Sequence, residues 1–226
     1  SFATVANTEL SRYASAGAYA DLTALLSRTI RILLFLSIPI GAFMMLFSTD
    51  VIRLFYYHGR FSDVALRETA YAFAFYAAGI PFFSVYKISS VAFTSRRDMI
   101  TPFKVSLLCI AVNVVLNFAL MIPLRQGGIA LATIVSSFLN NALLLTLYNR
   151  RVPQAPIDFR ALGLYLLRLL PACLLPLLPA WRVFRLVAPH GLHVFLPLLA
   201  AGLTYGAGLV LLAALFRLEE IRFVWN

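Results

Sequence analysis

An all-α, polytopic membrane helix bundle with six transmembrane helices is the fold class this sequence predicts. Three observations carry it. Six apolar runs fill nearly all of the chain from Ile30 onward, and each is near the ~20 residues that cross a ~30 Å hydrocarbon core as a helix. The composition is 62% hydrophobic and 12% charged, with a mean hydropathy of +0.87. The segments between the runs are too short to build cores of their own. In lipid, every backbone polar group must be satisfied internally, so runs of this length are helices.

The chain opens on its one long polar stretch, Ser1 to Arg28. It has neither the basic start and apolar run of a signal peptide nor an initiator Met, so a longer protein is expected upstream. Leu22, Leu25, Leu26 and Thr29 follow helical spacing, which predicts an amphipathic lead-in along the inner membrane face. The first span runs from Ile30 to Phe47, with a bend expected at Pro39 and Gly41. Ser48 to Arg67 reads as the longest inter-span loop. Tyr56, Tyr57 and Phe61 are its interface anchors, and His58-Gly59 marks a turn. The second span, Thr69 to Phe93, carries a kink signal at Gly79-Ile80-Pro81 and holds Lys87.

Thr94 to Pro102 forms the next inner loop, and Thr101-Pro102 suits a helix start. Spans three (Val105 to Ile122) and four (Gly127 to Tyr148) make a tight hairpin around Pro123 to Gly128. Val152 to Pro156 is a Pro-rich linker and the clearest internal boundary. Spans five (Ala161 to Ala180) and six (Leu192 to Phe216) follow, the last with a Gly202-xxx-Gly206 pair that permits close helix packing. The predicted organisation is therefore a lead-in at 1–28, a four-helix part at 29–151, and a linker with two final helices at 152–226.

The net charge is +10. In a soluble protein that would point to nucleic acid. Here, with the start placed inside, twelve of the 19 basic residues fall on inner segments and six on outer ones. That bias sets orientation. It places both ends, Arg96 and Arg150 in the cytoplasm and Arg60 outside, with no nucleic-acid partner. Cys109 and Cys173 lie within apolar runs and read as small hydrophobes.

No metal-protease, phosphate-loop or nucleophile-elbow signature is present, so no enzyme activity and no metal centre are expected. His190 and His193 are spaced i, i+3 but have no acidic or Cys partner, which favours a surface role. Polar residues inside the spans are the better lead. A charge such as Lys87 costs ~2.5 to 3.5 kcal/mol on insertion scales. Either it faces a water-filled cavity, where it could hold a phosphate, or its stem snorkels to the headgroups. Asn113 and Asn117 share one face of span three, and Thr133, Ser137 and Asn141 share one face of span four, beside Ser136 and Asn140. Counting 1.5 Å per residue from the turn puts Asn117 level with Thr133, and Asn113 level with Ser136 or Ser137. Two readings stand: interhelical hydrogen bonding, and a cation site of neutral oxygens.

Several motifs together resemble one family. They are Leu10-Ser11-Arg12, Leu54-Phe55, Gly59-Arg60-Phe61 and, most specifically, Lys87 followed by the run from Ala92 to Pro102 (AFTSRRDMITP). Asn113 to Asn117 (NVVLN) and Gly127 to Thr133 (GGIALAT) continue the likeness. The chain resembles the C-terminal part of the MurJ/MviN lipid II flippases, within the multidrug/oligosaccharidyl-lipid/polysaccharide exporter superfamily. The likeness covers the chain to about Arg151, and the last two spans by position and length. Thr94 replaces the usual aromatic, and Thr8 stands where a Pro is frequent.

The resemblance implies spans nine to fourteen of a fourteen-span transporter in the bacterial cytoplasmic (inner) membrane. It implies alternating access that moves lipid II, the peptidoglycan precursor, to the outer leaflet. The partners would be lipid II, membrane lipids and an N-terminal lobe of the same protein. It makes Lys87 a cavity-facing base for substrate. It makes Asn113, Asn117, the Ile129 carbonyl and Thr133 ligands of a monovalent cation such as sodium, with no other cofactor. Spans five and six would supply a groove for the polyprenyl tail. The alternatives are a related polysaccharide-lipid or drug/cation exporter, and a non-transporting scaffold of cell-wall synthesis.

Overall fold

The computed structural model describes residues 2–59, 61–188 and 194–216, together with Leu218 and Glu220. Ser1, Arg60, His190, Leu192 and His193, named above, lie outside the described residues. Every element among the described residues is helical: α1 (Phe2–Ser15), α2 (Tyr19–Leu46), α3 (Ser48–Tyr56), α4 (Asp63–Thr94), α5 (Ile100–Arg151), α6 (Phe159–Leu174), α7 (Leu177–Val187) and α8 (Phe195–Leu215). By length and composition, α2, α5, the α6–α7 stretch and α8 can each cross a membrane. The chain packs as two compact units that interleave along the sequence: Ser1–Leu34 with Gly79–Leu162, and Phe35–Ala78 with Gly163–Asn226.

In the first unit, α1 ends on Gly17 at φ +69°. The Gly17 N–H donates to Ala14 and the Ala18 N–H to Tyr13, the paired bonds of a left-handed helix stop. The expected lead-in is not a separate surface helix. Nothing between Tyr19 and Leu46 breaks the helical pattern except Pro39, and α2 runs through it unbroken. Leu22, Leu26 and Ile30 are packed inside the protein at 0–1% exposure. The bends expected at Pro39 and Pro81 likewise leave α2 and α4 continuous.

The hairpin of spans three and four is confirmed within α5, whose continuity is broken at Arg125, φ 49° and ψ −129°. There the chain folds back so tightly that a Cβ on Gly128 would run into the Leu120 carbonyl. Two arms result, 100–124 and 126–151. Asp98 fastens their far end. Its Oδ1 accepts the Thr101 N–H at 3.1 Å, and its Oδ2 accepts from the Arg151 guanidinium. Burial raises the Asp98 pKa, but hydrogen bonds from Thr101, the Arg151 charge and the Ile100 N–H outweigh it, holding the carboxyl below its ordinary value.

The Pro-rich linker is pinned. Asn149 exchanges two hydrogen bonds with the backbone of Ile157, at 2.9 and 2.7 Å. Thr23 Oγ1 donates to the Ala155 carbonyl and lies 2.8 Å from the Tyr148 hydroxyl. Tyr148 and Val152 are fully buried.

In the second unit, the stretch expected as a loop from Ser48 contains α3. Its Ile52 packs with Leu66 and Ala70, and that apolar anchor makes the segment a helix. Gly59 takes φ +65° at the expected turn. The Ser62 hydroxyl then accepts the Ala65 N–H and caps α4. The expected fifth span divides into α6 and α7, because Pro176 and Pro179 remove two consecutive-turn donors. Gly208 is the glycine that lets α8 approach: a Cβ there would meet Pro176 at 2.8 Å. Gly206 has nothing within 4 Å and Gly202 only the Phe43 ring edge at 3.8 Å, so the Gly-xxx-Gly pair is not the packing contact. Tyr205 ties the unit together, its hydroxyl lying 3.2 Å from the Pro39 carbonyl and 3.0 Å from that of Cys173.

Candidate functional site

Helical periodicity places the polar residues of the hairpin, and the reversal at Arg125 brings their faces together. The result is a cavity of about 280 Å³ between the two arms and α4. The first arm contributes Ser106, Cys109 and Asn113, the second Thr133, Ser136, Ser137 and Asn140, and α4 contributes Tyr86. Among the described residues, no acidic or basic side chain lines it.

Asn113 and Thr133 thus line one cavity, as do Ser136 and Ser137 at the levels counted from the turn. Asn117 is not in the lining. It donates its Nδ2 to Asn113 Oδ1 at 3.0 Å, and its own Oδ1 is buried without a hydrogen-bond partner among the described residues. The Thr133 hydroxyl donates to the Ile129 carbonyl at 3.0 Å. Those two oxygens are held together by the helix itself, four residues apart.

Asn141 faces α4, donating to the Phe82 carbonyl at 2.8 Å and to Ser137 at 3.0 Å. It is the hydrogen-bonding glue of the first reading. Gly79 permits this contact, since a Cβ there would meet Ile134 at 2.9 Å. Polar residues of one helix face therefore divide between packing and cavity.

Lys87 stands beside Tyr86 on α4, exposed, and makes no hydrogen bond or ion pair among the described residues. The cavity lining does not include it. No group of three or more His, Cys, Asp or Glu that could hold a metal occurs among the described residues.

Sequence reading passed over Tyr86 and Ser106 as cavity residues. The signal was available in the spacing. Ser106 precedes Asn113 by seven and Asn140 follows Thr133 by seven, two helical turns each, which keeps each pair on one face. Tyr86 carries no such pattern, and its place is known only from its hydroxyl lying 3.2 Å from Ser106 Oγ.

A second cavity, about 390 Å³, is apolar. It runs along Phe35 to Met44 of α2 and Gly202 to Val210 of α8. The two glycines without packing partners form its floor.

Long apolar helices, a charge-free polar cavity and an apolar groove define an integral membrane protein of the polytopic, all-α class. Comparison with known proteins narrows this. The family model described as "Lipid II flippase MurJ" matches residues 1–202, and the chain belongs to that family. Relatives named "Probable lipid II flippase MurJ" include one from Rhizobium tropici, 32% identical over 63% of this chain and 27% of its own length. One from Rickettsia prowazekii is 29% identical over 77% of this chain and 34% of its own. A solved structure, "Lipid II flippase MurJ, inward closed conformation", superposes with a TM-score of 0.72 at 22% identity, covering 95% of this chain and 43% of that one. It shows the shared fold. The chain spans about a quarter to a third of the length of these curated relatives.

Proposed function

We propose that this chain forms the C-terminal lobe of a flippase that carries lipid II from the cytoplasmic to the outer leaflet of the bacterial inner membrane. The family match over residues 1–202 carries the reading. Transport by alternating access between two lobes makes and breaks no bond, so no catalytic group is required of this one. Both ends of the chain face the cytoplasm, in keeping with the basic bias of the inner loops.

Each part of an amphiphilic lipid then has a counterpart. The pyrophosphate is an anion entering a low-dielectric space and needs a cation nearby, and Lys87 is a basic residue well inside the second expected span. The polyprenyl tail needs an apolar surface, and the groove between α2 and α8 is one. It includes the sixth expected span, while α2 takes the place assigned to the fifth.

A monovalent cation such as sodium suits the oxygens of Asn113, Asn117, Ile129 and Thr133. Hard cations take oxygen ligands, and the Asn117 Oδ1 is a buried acceptor without a partner among the described residues. The set is neutral, so its charge balance would come from elsewhere in the full-length protein. Bound there, the cation would supply a positive charge that holds the two arms of the hairpin together.

The test is replacement of the resident flippase in cells by the full-length protein, with lipid II translocation measured in liposomes. Translocation of lipid II, and support of growth, are expected. Full-length protein that folds and inserts but moves another lipid-linked sugar instead would favour the related-exporter reading.

A further inference from the structure

The cavity extends past the Asn113 and Thr133 level. Ser106 and Asn140 lie seven residues further along their arms, about 10 Å at 1.5 Å per residue, and Ser136 stands between the two levels, one turn before Asn140. At this inner end Tyr86, Ser106, Ser136 and Asn140 bring polar atoms into a lining whose remaining surface is apolar, including Ile110 and the Cys109 thiol. Ser136 and Asn140 are each 6% exposed. Ser136 Oγ and Asn140 Oδ1 are buried and have no hydrogen-bond partner among the described residues.

Part of the hydrogen-bonding capacity here is engaged. Asn140 Nδ2 donates to Ser106 Oγ at 3.4 Å, and Ser106 Oγ lies 3.2 Å from the Tyr86 hydroxyl. Asn140 therefore presents an oxygen, not an N–H, as its unmatched group. Asn140 Oδ1 can only accept and the Ser136 hydroxyl can accept or donate, and no cationic side chain among the described residues lines the cavity to answer them. Buried acceptors left unmatched are costly, so the arrangement calls for a small positively charged or donating guest.

We infer that the inner end of the cavity is a second monovalent-cation subsite, with Asn140 Oδ1 and Ser136 Oγ as ligands and the Tyr86 and Ser106 hydroxyls completing it. Oxygen ligands select a hard cation. Their neutrality selects a monovalent one, because divalent ions keep or require carboxylates. Ser136 and Asn140 are four residues apart on one helix face, so both reach the same guest. The identity of the ion rests on the cation reading of the Asn113 and Thr133 level. The two subsites would stand in line along the hairpin, and an ion leaving one would be received by the other.

Full-length protein in detergent provides the test. The sodium concentration that half-maximally raises its melting temperature is measured, and crystals soaked in thallium(I) are examined by anomalous scattering. Two thallium peaks are expected, one between Asn140 and Ser136. Asn140→Asp adds a charge to the ligand set and should lower the sodium midpoint about tenfold or more. Ser136→Ala should raise it and remove the inner peak alone. Thr133→Ala should remove the outer peak alone. A water at the inner position, with a midpoint unmoved by Asn140→Asp in protein that remains monodisperse, overturns the inner subsite even if Thr133→Ala behaves as expected. An unmoved midpoint in Thr133→Ala beside a shifted one in Asn140→Asp instead removes the outer site and supports the inner one.

Discussion

Arg97 occupies the left-handed region at φ 59°, where the Arg97 N–H donates to Thr94 and the Asp98 N–H to Phe93. This is the same helix stop that Gly17 makes after α1, built with a residue that carries a Cβ. A non-glycine residue there costs about 1 kcal/mol. Arg97 is exposed, so Arg97→Gly should stabilise the folded protein by about that amount, read from denaturation in detergent. An unchanged or lower stability would mean that Arg97 contributes through its charge. Lys87 poses a different question. If it holds the substrate's pyrophosphate, Lys87→Met should abolish growth support at unchanged expression, and Lys87→Arg should be milder. Full activity of Lys87→Met would leave snorkelling as its role. Among site residues, Asn113, Thr133 and Lys87 stood out in the sequence as polar groups within apolar runs. Tyr86 and Ser106 did not: Ser106 is marked only by its seven-residue spacing from Asn113, and Tyr86 only by its contact with Ser106.

At the scale of elements, the α5 hairpin depends on two fastenings. At its tip Gly128 abuts the Leu120 carbonyl, a backbone atom that cannot swing away. Gly128→Ala should therefore cost at least ~2 kcal/mol, or force the tip to rearrange. A melting temperature equal to that of the parent would show that the tip yields. At the open end, Asp98 joins the stop of α4, the start of α5 and Arg151. Its carboxyl pKa is lower folded than unfolded. The folded state thus binds fewer protons than the unfolded one around the ordinary carboxylate value. The stabilisation is present above that value and fades as pH falls through the lowered folded pKa. Acid titration of stability should show this loss below about pH 4, and Asp98→Asn should lack that component. The linker from Val152 to Pro156 shows how an element can mislead in sequence. Its prolines mark an end of regular structure correctly. Its immobility comes from Asn149 and Thr23, and Thr23 lies more than a hundred residues away.

For the whole molecule, one lobe cannot form both walls of an alternating-access cavity. The 226-residue chain alone should insert into liposomes without moving lipid II. Translocation by the purified chain would overturn the two-lobe reading. Topology can be tested directly: a cysteine at Arg150 should label only from the cytoplasmic side. Labelling of that position from outside would invert the assignment made from the basic bias.

What the sequence determined by itself is what periodicity and composition carry. Apolar runs about as long as the bilayer core is thick leave only helices, and i, i+4 spacing puts Asn113 with Asn117 and Thr133 with Ser137 on single faces. Those are local properties, set by rise and turn per residue, and the family motifs are likewise contiguous. Tertiary structure alone decided which polar atoms find partners. The Asn141 amide nitrogen is taken up by the Phe82 carbonyl, while that of its neighbour Asn140 reaches Ser106 in the cavity. It also decided that Pro176 meets Gly208 and leaves Gly202 and Gly206 to floor a groove. Such pairings join residues tens of positions apart, and their energies depend on distances of a few ångströms that no one-dimensional pattern encodes.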